Sequence, residues 1–309
     1  MIGKLLLTGV LGLAGLWFAA EPLLVAQARR HVQAETVAAQ PGAGRLGLAM
    51  TGLVIPARQG QVDLPALDLW LTPAAPTTIR LSLPPEAVLQ GAAGNRVVGM
   101  DRATGAVTLS PLGRVTQARA GFAALSLDGR PFAEEGGMTA ERVSDDRLAG
   151  HPYQVQVALP RLHLPQVSSA RGGLRLWLDR PLAATTQQPP AVLGVASEDF
   201  EVDAGAFALR LAGQLSKGGD GRTQGRVAIY SSDAAAMLEA AIEAGLMPPN
   251  VRLLARAMLN RIGQMEFDGG DAGLPPAPDG QVRIPLEMRD GRMYLGTIEI
   301  GAAPAWPIP

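Results

Sequence analysis

The chain has 309 residues, 47 % of them hydrophobic, with 27 basic and 28 acidic side chains for a net charge of -1. That balance, with no basic patch, argues against nucleic acid or a strongly acidic partner, and the lack of any cysteine removes disulfides, thiolate metal sites and cysteine nucleophiles together without fixing the compartment. Aromatics make up only 4 %, while 37 Gly and 25 Pro are spread along the chain, as in a protein of many short strands and turns.

The first element is apolar. After Lys4, no charge occurs from Leu5 to Ala20. As a helix this run spans roughly 24 Å, short of a hydrocarbon core of about 30 Å unless it continues through Leu23, Leu24 and Val25. It reads either as an uncleaved membrane anchor, with Trp17 and Phe18 near the outer interface, or as a signal peptide cleaved after Ala26-Gln27-Ala28. A buried soluble helix is a third reading. Arg29 and Arg30 oppose Lys4 under the positive-inside rule, but the very short leading segment favours export of the remainder of the chain. Gly9, Gly12 and Gly15 do not make a G-x-x-x-G motif, so nothing points to helix pairing.

Period-2 alternation then takes over. RLGLAMTGLVI (45–55) and QVDLPALDLWLT (61–72) flank a loop with Pro56 and Gly60; TTIRLSLP, NRVVGMD, GAVTLSPLG and AGFAALSLDG come next, the last with Phe122, Leu125 and Leu127. Alternating segments at intervals of about ten residues, bounded by Gly and Pro, predict consecutive antiparallel strands. In HPYQVQVALPRLHLP, Tyr153, Val155, Val157 and Leu159 alternate with polar neighbours; in GGLRLWLD, Leu174, Leu176 and Leu178 lie on one face with Arg175 and Trp177 on the other. One-sided alternation predicts a sheet with one apolar and one wetter face. The proline-flanked stretch RPLAATTQQPP (180–190) is the best boundary, giving segments 1–30, 31–185 and 186–309.

Beyond it, strands at 207–215 and 223–230 are joined across Gly218-Gly219-Asp220-Gly221, a hairpin whose glycines supply positive φ. The period then changes. Ser231 and Ser232 are natural N-caps, Asp233 suits the positive helix end, and Met237, Leu238, Ala241, Ile242 and Leu246 form a stripe. Gly245 and Pro248-Pro249 end that helix. A second, over 250–265, places Leu254, Met258, Ile262 and Met265 on one side and Arg252, Arg256 and Arg261 elsewhere. The pair predicts a two-helix hairpin packed on the sheet. Asp290-Gly291 is a turn between strands at 282–288 and 293–300, and Pro304, Pro307 and Pro309 stop the edge and lay Trp306 onto apolar surface. The expected class is therefore mainly β with α (α+β): an N-terminal membrane helix, a long curved antiparallel sheet, and a C-terminal two-helix hairpin packed on it.

The order of these segments and the closing residues Arg289, Asp290, Gly291, Arg292, Leu295, Gly296, Ile298, Ile300, Gly301 and Pro304 carry a family likeness. The chain resembles the bacterial domain of unknown function DUF2125, most closely from Phe207 onward and more loosely over 105–129. The resemblance implies a Gram-negative envelope protein anchored in the inner membrane and facing the periplasm, and it implies no activity. A weaker, architectural likeness is to AsmA-like periplasmic proteins with long curved sheets.

Motifs for chemistry are sparse. The histidines His31, His151 and His163 fall at no metal spacing, there is no G-x-S-x-G, and Ser231-Ser232 is explained as a cap. Gly218–Gly221 and Asp268-Gly269-Gly270-Asp271 do not match a calcium loop. No catalytic, metal or cofactor residue is therefore assigned, and no cofactor is expected. The favoured expectation is a membrane-anchored periplasmic module that binds or transfers a lipid or other apolar ligand on an aliphatic sheet face. The alternative is a structural or assembly partner in the envelope acting through strand edges. An enzyme is disfavoured for want of a constellation.

Overall fold

The computed structural model describes residues 33–40, 44–57, 60–91, 94–165, 167–183, 190–205, 207–243, 261, 270 and 274–306. They form 18 strands and one helix. Strand makes up 70 % and helix 3 %, which corrects the expected α+β class to an almost entirely β one. The helical period after Ser232 does give a helix, α1 (Ala234–Glu243), but no two-helix hairpin is seen. Of the expected second helix, all but Arg261 lies outside the described residues, as does the expected membrane helix within 1–30. Among the described residues no helix is long and apolar enough to cross a membrane.

Two compact units emerge, Met1–Glu135 and Gly136–Pro309. The first contains β1 (Thr36–Ala39), β2 (Leu46–Ala57), β3 (Gly60–Thr72), β4 (Ala75–Ser82), β5 (Glu86–Gly91), β6 (Gly94–Asp101), β7 (Thr104–Leu109) and β8 (Val115–Leu127). β4 and β5 pair with successive halves of β3, and β7 and β6 pair with successive halves of β8. Each short pair is thus one long strand broken once, at 83–85 and at 102–103. The pattern is an antiparallel meander, as short turns between alternating segments require. Leu48, Leu69 and Leu81 align across the ladder on one face, while Trp70, Arg80 and Arg119 fall in a row on the other. The buried cluster Leu53, Leu64 and Ala87, with Leu83 and Met100 against it, sits beside the strand breaks.

The division between the units falls inside β9 (Arg130–Arg142), next to Glu135 with its φ of 45°. The second unit continues with β10 (His151–Leu159), β11 (Arg161–Leu162), β12 (Ser169–Leu178), β13 (Val192–Asp203), β14 (Ala208–Lys217), β15 (Thr223–Ser231), β16 (Val282–Arg289), β17 (Arg292–Leu295) and β18 (Ile298–Ala302). The proline-flanked stretch 180–190 joins β12 to β13, and 184–189 lie outside the described residues. From β12 onward each strand pairs antiparallel with the next, even where α1 intervenes between β15 and β16. Asp290 (φ 52°) and Gly291 (φ 71°) turn β16 into β17, the two positive φ values of a two-residue hairpin loop. The expected strand over 293–300 is two strands, because Gly296 (φ 59°) turns the chain before β18.

α1 is capped by Asp233 rather than by either serine: its Oδ1 accepts from the backbone N–H groups of Ala235 and Ala236, both at 2.9 Å. Ser231 Oγ instead accepts from Asp233 N (3.2 Å) and Ser232 Oγ from Ala208 N (3.1 Å). The expected packing of helices on the sheet is corrected as well. Leu274 and Ala277, from the non-helical segment before β16, pack on the buried Ala212, Ala228 and Tyr230, and the Tyr230 hydroxyl donates to the Pro275 carbonyl. A strap beginning one short connection before β16 is already tethered at that sheet face, so it covers the patch at little entropic cost.

Candidate functional site

The cross-strand register of the second unit sorts its residues onto two faces. One face is aliphatic: Tyr153, Leu176, Val195, Leu215, Gly225, Met288 and Met293 stand in one row across β10 and β12–β17. Beside it run Val155, Leu174, Ser197, Gly213, Val227, Leu286 and Leu295. These strands alternate as the sequence predicts, with Trp177 and Arg175 opposite the leucines of β12.

The aliphatic face is buried at its margins, at Tyr153, Val155, Leu178 and Met288, and more open between them. Leu174, Leu176, Val195, Leu215, Val227 and Leu286 are only half-buried. On the opposite, mixed face Trp177, Ala228 and Tyr230 are each 0 % exposed. That face has covers: the Arg147 guanidinium lies 5.3 Å over the Trp177 ring, Arg210 lies 4.3 Å over Tyr230, and Leu274 and Ala277 of the strap lie on Ala212, Ala228 and Tyr230. At one margin of the aliphatic face Leu182 N donates to the Tyr153 hydroxyl (3.1 Å). Rows of aliphatic side chains left half in water cost free energy that a bound apolar surface would recover, at about 25 cal/mol per Å².

The mixed face also holds a polar cleft of about 190 Å³, lined by Arg147, Gln154, Gln156, Arg175, Glu198 and Asp199 over the bare floor of Gly173. A β-bulge forms it. The ladders of β13 shift between Ser197 and Phe200, which places Glu198 and Asp199 together at the rim. Opposite the bulge Gly172 has φ 130°, and a Cβ there would stand 2.7 Å from the Asp199 carbonyl, so only glycine fits. At one end Asp145, with 5 % of its side chain exposed, accepts from Arg147 Nε (3.1 Å) and Nη2 (2.8 Å) and from Arg175 Nη1. Arg147 foremost, with Arg175 beside it, holds the Asp145 carboxyl far below the usual carboxylate range against the opposing effect of burial. The same contact raises the pKa of Arg147. Arg175 also donates from Nε and Nη2 to Gln154 Oε1 (3.1 and 2.9 Å), which turns the Gln154 amide nitrogen toward the cleft floor.

Sequence reasoning assigned no site residue, and it passed over this cluster. Asp145 and Arg175 meet across 30 positions of sequence, a separation that no local motif reports. His151 opens β10 opposite Leu178 and His163 follows β11. Among the described residues no group of three or more His, Asp or Glu side chains is placed to hold a metal ion. The closing residues Arg289–Pro304 form structure: Arg292 pairs with Glu299 (2.7 Å), Ala303 N donates to Gly291 O (2.9 Å), and Thr223 N donates to Pro304 O (2.9 Å). Trp306 is anchored by its indole N–H to the Val192 carbonyl (2.8 Å).

Fold and faces together define a protein of antiparallel meanders whose aliphatic side chains stand in long rows. The chain belongs to the family DUF2125, an uncharacterized protein conserved in bacteria, whose match spans residues 44–304. That match reaches well before Phe207, where the resemblance in sequence is closest. No curated protein and no solved structure matches the chain, and the likeness to AsmA-like proteins gains no support.

Proposed function

We propose that the protein is a periplasmic module of the bacterial envelope, held at the inner membrane through its uncharged N-terminal run, that binds or transfers a lipid by its acyl chain. The observation that supports this reading is the set of aliphatic side chains left half-buried on that face of the second unit, Leu174, Leu176, Val195, Leu215, Val227 and Leu286. Neighbouring strands lie about 4.8 Å apart, so the half-buried row Leu174, Ser197, Gly213, Val227 and Leu286 is roughly 19 Å long. An acyl chain fills half of a bilayer core about 30 Å thick, so one chain fits along the row at full length. Binding by burial needs no catalytic group and no cofactor, and this reading makes the protein a carrier rather than an enzyme.

The test is mass spectrometry of lipids that accompany residues 31–309 purified from the periplasm without detergent. A stoichiometric lipid supports the reading, and a lipid-free protein that also ignores added fatty acid refutes it. A second reading, an assembly partner, is favoured by β18, whose Ile298 and Ile300 are 41 % and 47 % exposed. A pull-down returning one stoichiometric envelope protein, lost in an Ile298→Lys, Ile300→Lys variant, would support it.

A further inference from the structure

The polar cleft on the mixed face is independent of the aliphatic rows, and its lining selects a different chemistry. Its two arginines face three carboxylates, those of Asp145, Glu198 and Asp199. A phosphate entering here would meet Glu198 and Asp199, and an ammonium would meet Arg147 and Arg175, so either ion is opposed. A hydroxyl group both donates and accepts, and the lining offers both functions. The acceptors come from the bulge: Glu198 and Asp199 are exposed at the rim, and Asp199 takes only a long 3.4 Å contact from Gly173 N. The donors come from β10, where the amide nitrogens of Gln156 and Gln154 lie 2.9 and 3.0 Å from the point a Cβ on Gly173 would occupy. Gly173 therefore leaves a bare floor beneath two converging N–H₂ groups.

Size narrows the class further. The cleft holds about 190 Å³, below the range of about 300 Å³ upward typical of drug-sized ligands and equal to about six water molecules. We propose that the cleft binds one neutral sugar ring, free or at the end of a glycan, with Glu198 and Asp199 accepting from adjacent hydroxyls and Gln154 and Gln156 donating to them. The geometry explains why a ladder-breaking bulge is kept here: it brings two consecutive carboxylates onto one rim that a regular strand would send to opposite faces.

The experiment uses the full chain in phosphatidylcholine nanodiscs, with saturation-transfer NMR and calorimetry. The probes are glucose, galactose, mannose and N-acetylglucosamine, their methyl glycosides and β-linked disaccharides, with ethanolamine and inorganic phosphate as charged controls. At least one neutral sugar is expected to saturate with a Kd on the order of 1–10 mM, as suits so small a ligand. The Gln156→Ala, Asp199→Ala double variant weakens it by about tenfold or more with an unchanged melting curve, both side chains being exposed. Should that variant fold poorly, Glu198→Ala, at an exposed side chain, gives the same reading. Tighter binding of the disaccharide than of the free sugar identifies a glycan terminus, and the reverse identifies a free monosaccharide. Absence of saturation by every sugar, equal affinity in the variants, or binding of phosphate or ethanolamine in preference to sugar overturns the proposal.

Discussion

Truncating Leu176 separates an open aliphatic face from a covered core. Leu→Ala removes three carbons, worth about 0.8 kcal/mol each when fully buried, and a covered site adds a cavity term that brings measured losses to about 3–5 kcal/mol. Leu176 is half-buried between Tyr153 and Val195. Leu176→Ala should therefore cost about 1 kcal/mol. Trp177, the next residue, points to the other face and is 0 % exposed, and Trp177→Ala should cost about 3–5 kcal/mol. Urea unfolding of the two variants beside the parent measures both values. In the same samples, Leu176→Asp should displace a fluorescent fatty acid, because a carboxylate on the row must be desolvated by any acyl chain laid over it. A loss of about 3 kcal/mol or more for Leu176→Ala, or fatty-acid binding indifferent to Leu176→Asp, would refute the reasoning.

Asp145→Asn should lower stability at pH 7 by about 2–3 kcal/mol, since it leaves two guanidiniums facing a neutral amide, as melting temperature against pH will report. The sign comes from the depressed native pKa: the carboxylate's contribution is complete above about pH 4 and is lost as the pH falls toward the native value. The variant should thus show a flatter acid limb, and an acid limb as steep as the parent's would count against the clamp. Gly172→Ala places a Cβ 2.7 Å from the Asp199 carbonyl at φ 130°; it should cost about 2 kcal/mol or more and shift the amide resonances of Glu198 and Asp199. Gly291→Ala, at φ 71° in the β16–β17 turn, should cost roughly 1–2 kcal/mol by thermal melt.

Period-2 alternation made the strands of this protein legible wherever the ladder is regular. Val155 and Leu174 were placed on the aliphatic face by alternation alone, and the register pairs them directly. Asp290-Gly291 was legible because its positive φ values are a local property of the turn. The covering of the sheet was not. Tyr230 is buried by Leu274 and Ala277 of an irregular strap, and no periodicity marks a strap. The helical stripe near Met237 gives α1 (Ala234–Glu243), but it is Leu274 and Ala277 that lie on the buried Tyr230. Glu198-Asp199 carried no motif, since a bulge is one extra residue in an otherwise ordinary strand, visible only when both neighbouring registers are known.

A one-sided sheet must bury at least part of its apolar face, and the two units are broken at different places in their ladders. In the first, ladder interruptions lie side by side in adjacent strands: Gly52 (φ 59°) falls between the paired Thr51 and Leu53, Pro65 between Leu64 and Ala66 opposite, then Leu83–Pro85, then Arg102 (φ 49°). The gap is bridged by Leu83 N to Ala103 O (2.9 Å) and Met100 N to Pro85 O (2.6 Å), so the strands stay together while the regular ladder lapses. Proline removes a ladder donor and left-handed φ reverses the local twist, which lets a sheet fold over its own side chains. The buried Leu53, Leu64 and Ala87 sit at that line, with Leu83 and Met100 from the breaks themselves against them. The second unit has a ladder break of its own, the β13 bulge flanked by Gly172 (φ 130°) and Gly213 (φ 140°), while Arg147 and the strap lie on the mixed face. Beside that break Leu174, Leu176, Val195, Leu215, Val227 and Leu286 are only half-buried, and the proposed acyl-chain site rests on that exposure rather than on aliphatic content.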